Sequence, residues 1–392
     1  MSQPKLSQPR AFLSYAFRPF FLLNALFAVL TLLIWLLTLH GSGPVGGMPY
    51  WHGHELIVGF AMASISGFML TAVATWTNRP PVRGRPLILL VWAWLLGRMA
   101  MMATTLIPPW LVAILDMLFP ALLVWLVGRE VVGGGSRRNY PIIGITALLA
   151  LLNGIYHAGI LLHRPDVARL AVYLLIYLIL VLITVIAGRI IPNFTANWLR
   201  ARGTPRLPTD HVLVDRLTII ATLAAGIAAA ITPLGRITAS TAALAALLHT
   251  VRLARWRGLA TISEPLLFVL HVAYLWLPIG YALTACAAIG VLLPASAALH
   301  ALTMGAIATM VLAVTTRVAL AHTGRPLHAT RLIVLSYGIF NVAVVVRVLS
   351  SLSADRYMNL IDLSALGWIT TFLIFAWVYW PILTRPGVDQ AP

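Results

Sequence analysis

Acidic residues are scarce in this chain: 10 Asp and Glu stand against 27 Lys and Arg, and charged residues of both signs make up only 9% of it. A soluble domain averages about 25% charged residues, so a water-facing surface cannot be built from this composition. Cysteine is all but missing. With Cys286 alone, no disulfide, no Cys-x-x-Cys redox pair and no cysteine zinc site forms within one chain. Any metal has to be held by histidine, methionine, carboxylate or a cofactor. Two further patterns are lacking. There are no alternating segments of the kind that build a membrane barrel, and the basic residues form no stripe with stacking aromatics that would read as a nucleic-acid surface.

What is present is hydrophobic sequence, 60% of the chain. It comes in windows of roughly 20 residues or more, enough to cross about 30 Å of hydrocarbon as helix. The expected fold is an all-α polytopic membrane bundle of twelve transmembrane helices, near 20–40, 54–76, 87–107, 110–131, 141–162, 167–191, 212–233, 237–253, 264–290, 295–319, 329–350 and 361–383. Lys5, Arg10 and Arg18 precede a first apolar run too long for a signal-peptide core, so it reads as a retained span. The net charge of +17 follows from topology. When alternate connections are compared, one side holds nearly all the Arg and Lys, and the other only Arg164, Arg169, Arg236, Arg347 and Arg356. Basic residues stay in the cytoplasm, which makes both termini cytoplasmic. The longest connection, 188–211, carries the Pro, Thr and Arg content of a loop. No repeat is evident between the halves, and residues 1–392 read as a single integral membrane domain.

Ionisable groups inside a bilayer are costly and face a bundle interior or a cofactor. His52, His54 and Glu55 enter span two from the arginine-poor side, His300 lies roughly 9 Å inside span ten from that side, and His157 sits at similar height in span five. A second group, His249, His271, His322 and His328, lies toward the other face. Neutral imidazole suits haem iron and copper. Met304, one turn beyond His300, and Met48 add soft ligands. On a regular helix His52 and His54 point about 200° apart, so both serve one metal only if the helix starts after them. Glu55 either orients an imidazole or sits favourably at the helix start. A satisfied interior histidine is the competing reading for His271 and His300, and His40, His163, His211 and His328 read as solvated loop residues. Trp35, Trp110, Trp256, Trp368, Trp377 and Trp380 read as interfacial belt residues. Arg98, near the centre of span three, needs an anion, and Asp116 is the candidate. Arg347 either snorkels to the interface or holds a cofactor carboxylate such as a haem propionate.

Four stretches, FRPFF (17–21), WHGHELIVGFAMASISGFMLTAV (51–73), LHVAYLWLPIG (270–280) and LHALTMGAIATMVLAVTTRVALAHTGR (299–325), resemble the NnrS family over nearly the whole chain. The resemblance implies a bacterial inner-membrane protein with twelve spans, containing haem b and copper and linked to nitric oxide metabolism and tolerance of nitrosative stress. It carries over His52, His54, His271, His300 and His322 as metal ligands. Ala321 stands where Gly is expected, which leaves His322 in register. A more distant likeness is to haem–copper oxidases, which hold a haem between histidines of spans two and ten. That is analogy of fold alone.

The expectation is therefore a haem- and copper-binding protein that binds nitric oxide or handles its products. His54 and His300 would bracket the haem, Arg347 would neutralise a propionate, and copper would use His52 or the inner histidines. Its partners would be nitric oxide or a related small molecule, the bilayer and an electron donor, with no nucleic acid. A redox activity stays open, because no unmistakable proton path is visible. The alternative is a transporter of copper, haem or a metal complex, with histidines as transient sites.

Overall fold

A computed structural model describes residues 11–43, 45, 50–209, 211–291 and 294–388. Among them are twelve helices long and apolar enough to cross a membrane and no strand. In chain order they are α1 (Phe17–Leu39), α2 (Trp51–Thr77), α3 (Arg85–Met102), α4 (Pro109–Gly133), α5 (Arg137–Leu161), α6 (Pro165–Arg200), α7 (Val212–Ile231), α8 (Arg236–Ala254), α9 (Pro265–Ala288), α10 (Ala295–Ala321), α11 (Arg331–Ser350) and α12 (Tyr357–Thr384). The sequence sets their limits. Proline stands in the first turn of α3, α4 and α9, where its missing N–H costs nothing. Thr330 caps α11 by accepting from the Ile333 N–H, and α2 ends on Asn78 in the left-handed region.

The chain forms two compact units. One comprises the residues up to Leu175 with Thr315–Leu327 and those from Phe372 onward, the other Ile176–Val314 with His328–Thr371. The first unit packs around Phe17, Phe20, Phe21, Phe60 and Phe119, the second around Tyr274, Tyr281, Phe340 and Leu277, all without exposed surface or nearly so. The exposed sides of the helices are just as apolar: Leu89, Trp92 and Met99 of α3 all face outward. A surface of that kind belongs against lipid. Many hydroxyls within the spans bond back to the carbonyl one turn earlier, as Ser66, Thr71 and Thr184 do, while Ser364 and Thr371 of α12 also reach the Ala343 and Ser336 carbonyls of α11.

Three differences from the sequence reading have physical causes. The segment 188–211 begins as helix, since α6 continues through Pro192 to Arg200. An interior proline costs about 3 kcal/mol, offset here by burial of Ile191, Thr195, Ala196 and Leu199. Of the tryptophans read as a belt, Trp110, Trp377 and Trp380 are exposed, but Trp256 and Trp368 are buried, packed on Tyr274 and Phe340.

The third difference is a repeat. Both α2 and α10 contain a wide turn with i to i+5 bonding, over Glu55–Ala61 and Ala301–Ala308, each directly after a histidine. Such turns insert one residue into a helix and occur mostly at functional sites. Aligning the two turns brings into one ungapped register Pro19 with Pro265, His54 with His300, Gly59 with Gly305, Thr77 with Thr323, Arg79 with Arg325, Pro80 with Pro326, Arg85 with Arg331 and Asp116 with Asp362, besides several apolar matches. The two wide turns and these matched residues are a pattern that α1–α4 shares with α9–α12. Asn78 and Gly324, at matching positions, both have positive φ, 53° and 68°.

Candidate metal centre

The strongest constellation of ionisable groups lies in the first unit. Helix α2 supplies His54 and Glu55, α3 Arg98, α4 Asp116, and α5 Asn153 and His157, which sit four residues apart and so share a face. His54 Nδ1 is 2.9 Å from Glu55 Oε1, and its Nε2 is 2.8 Å from Asn153 Oδ1 and 3.4 Å from Asp116 Oδ2. The Asn153 amide donates to Asp116 Oδ2 at 2.7 Å, and His157 Nε2 donates to the same oxygen at 2.8 Å. Arg98 binds both Glu55 and Asp116. The Tyr156 ring stacks on His54 with centroids 4.3 Å apart. His54, Glu55 and Asp116 have no exposed surface.

Charge explains why this group is stable inside a span. Arg98 has the partner expected for it, Asp116, and a second, Glu55. With the Asn153 amide turned to Asp116, both ring nitrogens of His54 face accepting oxygens, so the ring donates twice and is cationic. Two cations then balance two carboxylates. Each remaining lone pair or N–H matters at this depth, and Glu55 Oε2 and Arg98 Nε have no protein partner. A metal ion taken up here would displace the His54 proton.

The wide turn of α2 aims His54 and is held from outside. Trp94 of α3 donates to the Gly59 carbonyl at 2.9 Å. Gly59 itself is required by a close approach: a Cβ there would lie 2.9 Å from Arg98 Nη1. Trp94→Phe deletes the bond and leaves a buried carbonyl unsatisfied. The expected loss is about 2 kcal/mol, read as a lower melting temperature of the purified protein; an unchanged melt would mean that the turn does not need this support.

The other candidate residues lie apart from this cluster or in the other unit. His52 is within the helix, which begins at Trp51, and stacks on Trp35 at 4.5 Å instead of joining His54. His322, just past α10, lies against Tyr15 and Phe17, with centroids 6.3 Å and 5.8 Å away. In the second unit, the half-buried His300 has Nδ1 2.6 Å from the Ser296 carbonyl and Nε2 3.1 Å from Arg347 Nη2. A guanidinium only donates, so Nε2 carries the lone pair and Nδ1 the proton. His271 Nε2 meets Thr195 Oγ1 at 2.9 Å, and its buried Nδ1 has no partner. His249 is satisfied by Thr222 and Tyr274, at 2.9 Å and 2.8 Å. Met304 is buried, and Met48 lies outside the described residues. His40, His163, His211 and His328 are exposed, as loop histidines should be.

Among the described residues, one group of three ligands can close on a single ion. His54, Asp116 and His157 have ligand atoms all within 4.8 Å of one another, and all three are buried. Sequence reading missed Asn153 and Tyr156. The available signal was Asn153 and His157 one turn apart in an otherwise apolar span. The family model described as NnrS protein matches residues 11–386. No curated protein matches the chain.

Proposed function

Because the chain belongs to the NnrS family, we propose that it is a multi-pass membrane protein that binds nitric oxide or handles its reactive products at a histidine-held metal centre. The convergence of His54, Asp116 and His157 carries this reading. Two imidazoles and a carboxylate form a donor set of intermediate softness that suits copper. His54 and His157 would be the nitrogen ligands and Asp116 the oxygen ligand. Asn153 and Glu55 would orient them, and Arg98 would offset the carboxylate charge. Tyr156 covers one face of the His54 ring and keeps water off it. The enclosure of the cluster favours a retained metal over one in transit.

We place no haem at His54, which has no exposed surface and is enclosed by Glu55, Asp116, Asn153 and the Tyr156 ring. The surroundings of His300 do fit haem b. The bond to Ser296 fixes the tautomer that leaves Nε2 as a ligand atom, and Arg347, itself bonded to Ser350 at 3.1 Å, stands beside it for a propionate. When bound, such a haem supplies an iron that carries an electron or, with one position open, takes nitric oxide.

Metal analysis and optical spectra of the purified chain test both assignments. His157→Ala and Asp116→Asn should each weaken copper retention by roughly tenfold or more and leave haem absorbance in place. His300→Ala should remove the haem absorbance and spare the copper. Normal yields of His157→Ala with undiminished copper would overturn the first assignment, and unchanged spectra in His300→Ala the second.

A further inference from the structure

The two matched arginines after α2 and α10 have different partners. After α2, Arg79 Nε donates to Glu130 Oε2 of α4 at 2.8 Å, and Arg129 binds the other oxygen of the same carboxylate. After α10, the matching residue is Arg325, and the position that matches Glu130 is Ala376. Arg325 therefore has no carboxylate there. Its Nη2 reaches only the Pro386 carbonyl at 3.4 Å, and its Nη1 is buried without a partner.

A second guanidinium stands close by. Arg18 is almost fully buried at the start of α1, and its Nη1 donates to the Leu383 and Arg385 carbonyls, at 3.1 Å and 2.7 Å. Its Nε, also buried, has no partner. Arg18 and Arg325 both bond to carbonyls of the short segment 383–386, which brings their like charges, and that of Arg385, together. Nothing among the described acids of this unit is left to relieve them. Glu55 and Asp116 hold Arg98, Glu130 holds Arg79 and Arg129, and Asp166 holds Arg164.

We propose that Arg325 and Arg18 form a binding site for an anionic phosphate group at the arginine-rich face of the membrane. Two guanidiniums with unused N–H donors suit a phosphate, which accepts forked hydrogen bonds and offsets their mutual repulsion. Both stand at the ends of candidate membrane spans, and basic pockets between spans take acidic lipids. The phosphate therefore comes either from a lipid headgroup or from the aqueous phase.

The test uses the purified full chain in a neutral detergent, with melting temperature followed as phosphatidylglycerol, phosphatidylcholine or sodium phosphate is added. Phosphatidylglycerol should raise the melting temperature and phosphatidylcholine should not. The half-effective concentration should rise roughly five- to tenfold in Arg325→Gln and by less in Arg325→Lys, which keeps the charge and guards against a variant that fails to fold. Arg79→Gln, at the matching turn, should respond like the parent. If sodium phosphate alone gives the shift, with the same dependence on Arg325, the site stands and its ligand is the free ion. Equal shifts from the two lipids, or an effect of phosphatidylglycerol or phosphate that Arg325→Gln leaves intact, would overturn the proposal.

Discussion

Arg98→Ala is expected to stop folded protein from accumulating. The substitution leaves Glu55 and Asp116 facing each other in a site with no exposed surface, with only His54 to balance them. Removing one partner of a buried ion pair costs about 3–5 kcal/mol, a large share of the roughly 5–15 kcal/mol that holds a typical domain together. The loss comes from stranded charge and not from a lost contact. Arg98→Met combined with Glu55→Gln and Asp116→Asn should therefore recover much of the yield, although it gives up every ion pair of Arg98. The readout is the amount of monodisperse protein after solubilisation and its melting temperature. If Arg98→Ala alone purifies and melts like the parent, the charge balance derived for the cluster is wrong.

Gly159→Val should have an effect of comparable size by a different route. A Cβ at Gly159 would lie 2.6 Å from the Ala168 nitrogen and 3.0 Å from the Arg164 carbonyl oxygen, so α5 and the start of α6 meet backbone to backbone. No side chain can swing away, and the helices must part. Overpacking of this kind costs about 3 kcal/mol. Because α5 also carries Asn153 and His157, its displacement should loosen the cluster as well, and the metal retention proposed for it should fall together with the melting temperature. Gly154→Ala, one turn and a half away on the same helix, is the control. Its nearest neighbour would be the Met117 methyl at 3.7 Å, so the added methyl should be neutral or stabilise by about 0.5–1 kcal/mol. Equal behaviour of the two variants would refute the close approach.

The spans and the asymmetry of arginine were legible because length, hydropathy and charge act locally along the chain. So was the pairing of Arg98 with Asp116, since a guanidinium within a span demands an acid and few acids exist. Helical geometry also separates His52 from His54, as their spacing requires. The end of α6 was not legible: Pro192, Thr195 and the arginines have loop-like propensities, and only their burial against neighbours keeps them helical. Trp256 and Trp368 look like interfacial residues by type and position, while their burial depends on Tyr274 and Phe340, distant in sequence. The repeat escaped notice because its identities are thinly spread through apolar filler. The wide turns after His54 and His300 supply the register that exposes it.

The ring of charges shared by α2, α3, α4 and α5 constrains how the protein enters the bilayer in the first place. As the chain emerges from the ribosome, α3 is the least apolar of the first six spans and carries Arg98 within it, the fifth residue from its C-terminal end. A lone arginine costs up to about 2.5–3.5 kcal/mol on insertion scales, the full amount only at a helix centre, and α2 and α4 bring the buried acids Glu55 and Asp116. That cost is relieved only when α2, α3 and α4 have come together, since Arg98 meets its two carboxylates on different helices.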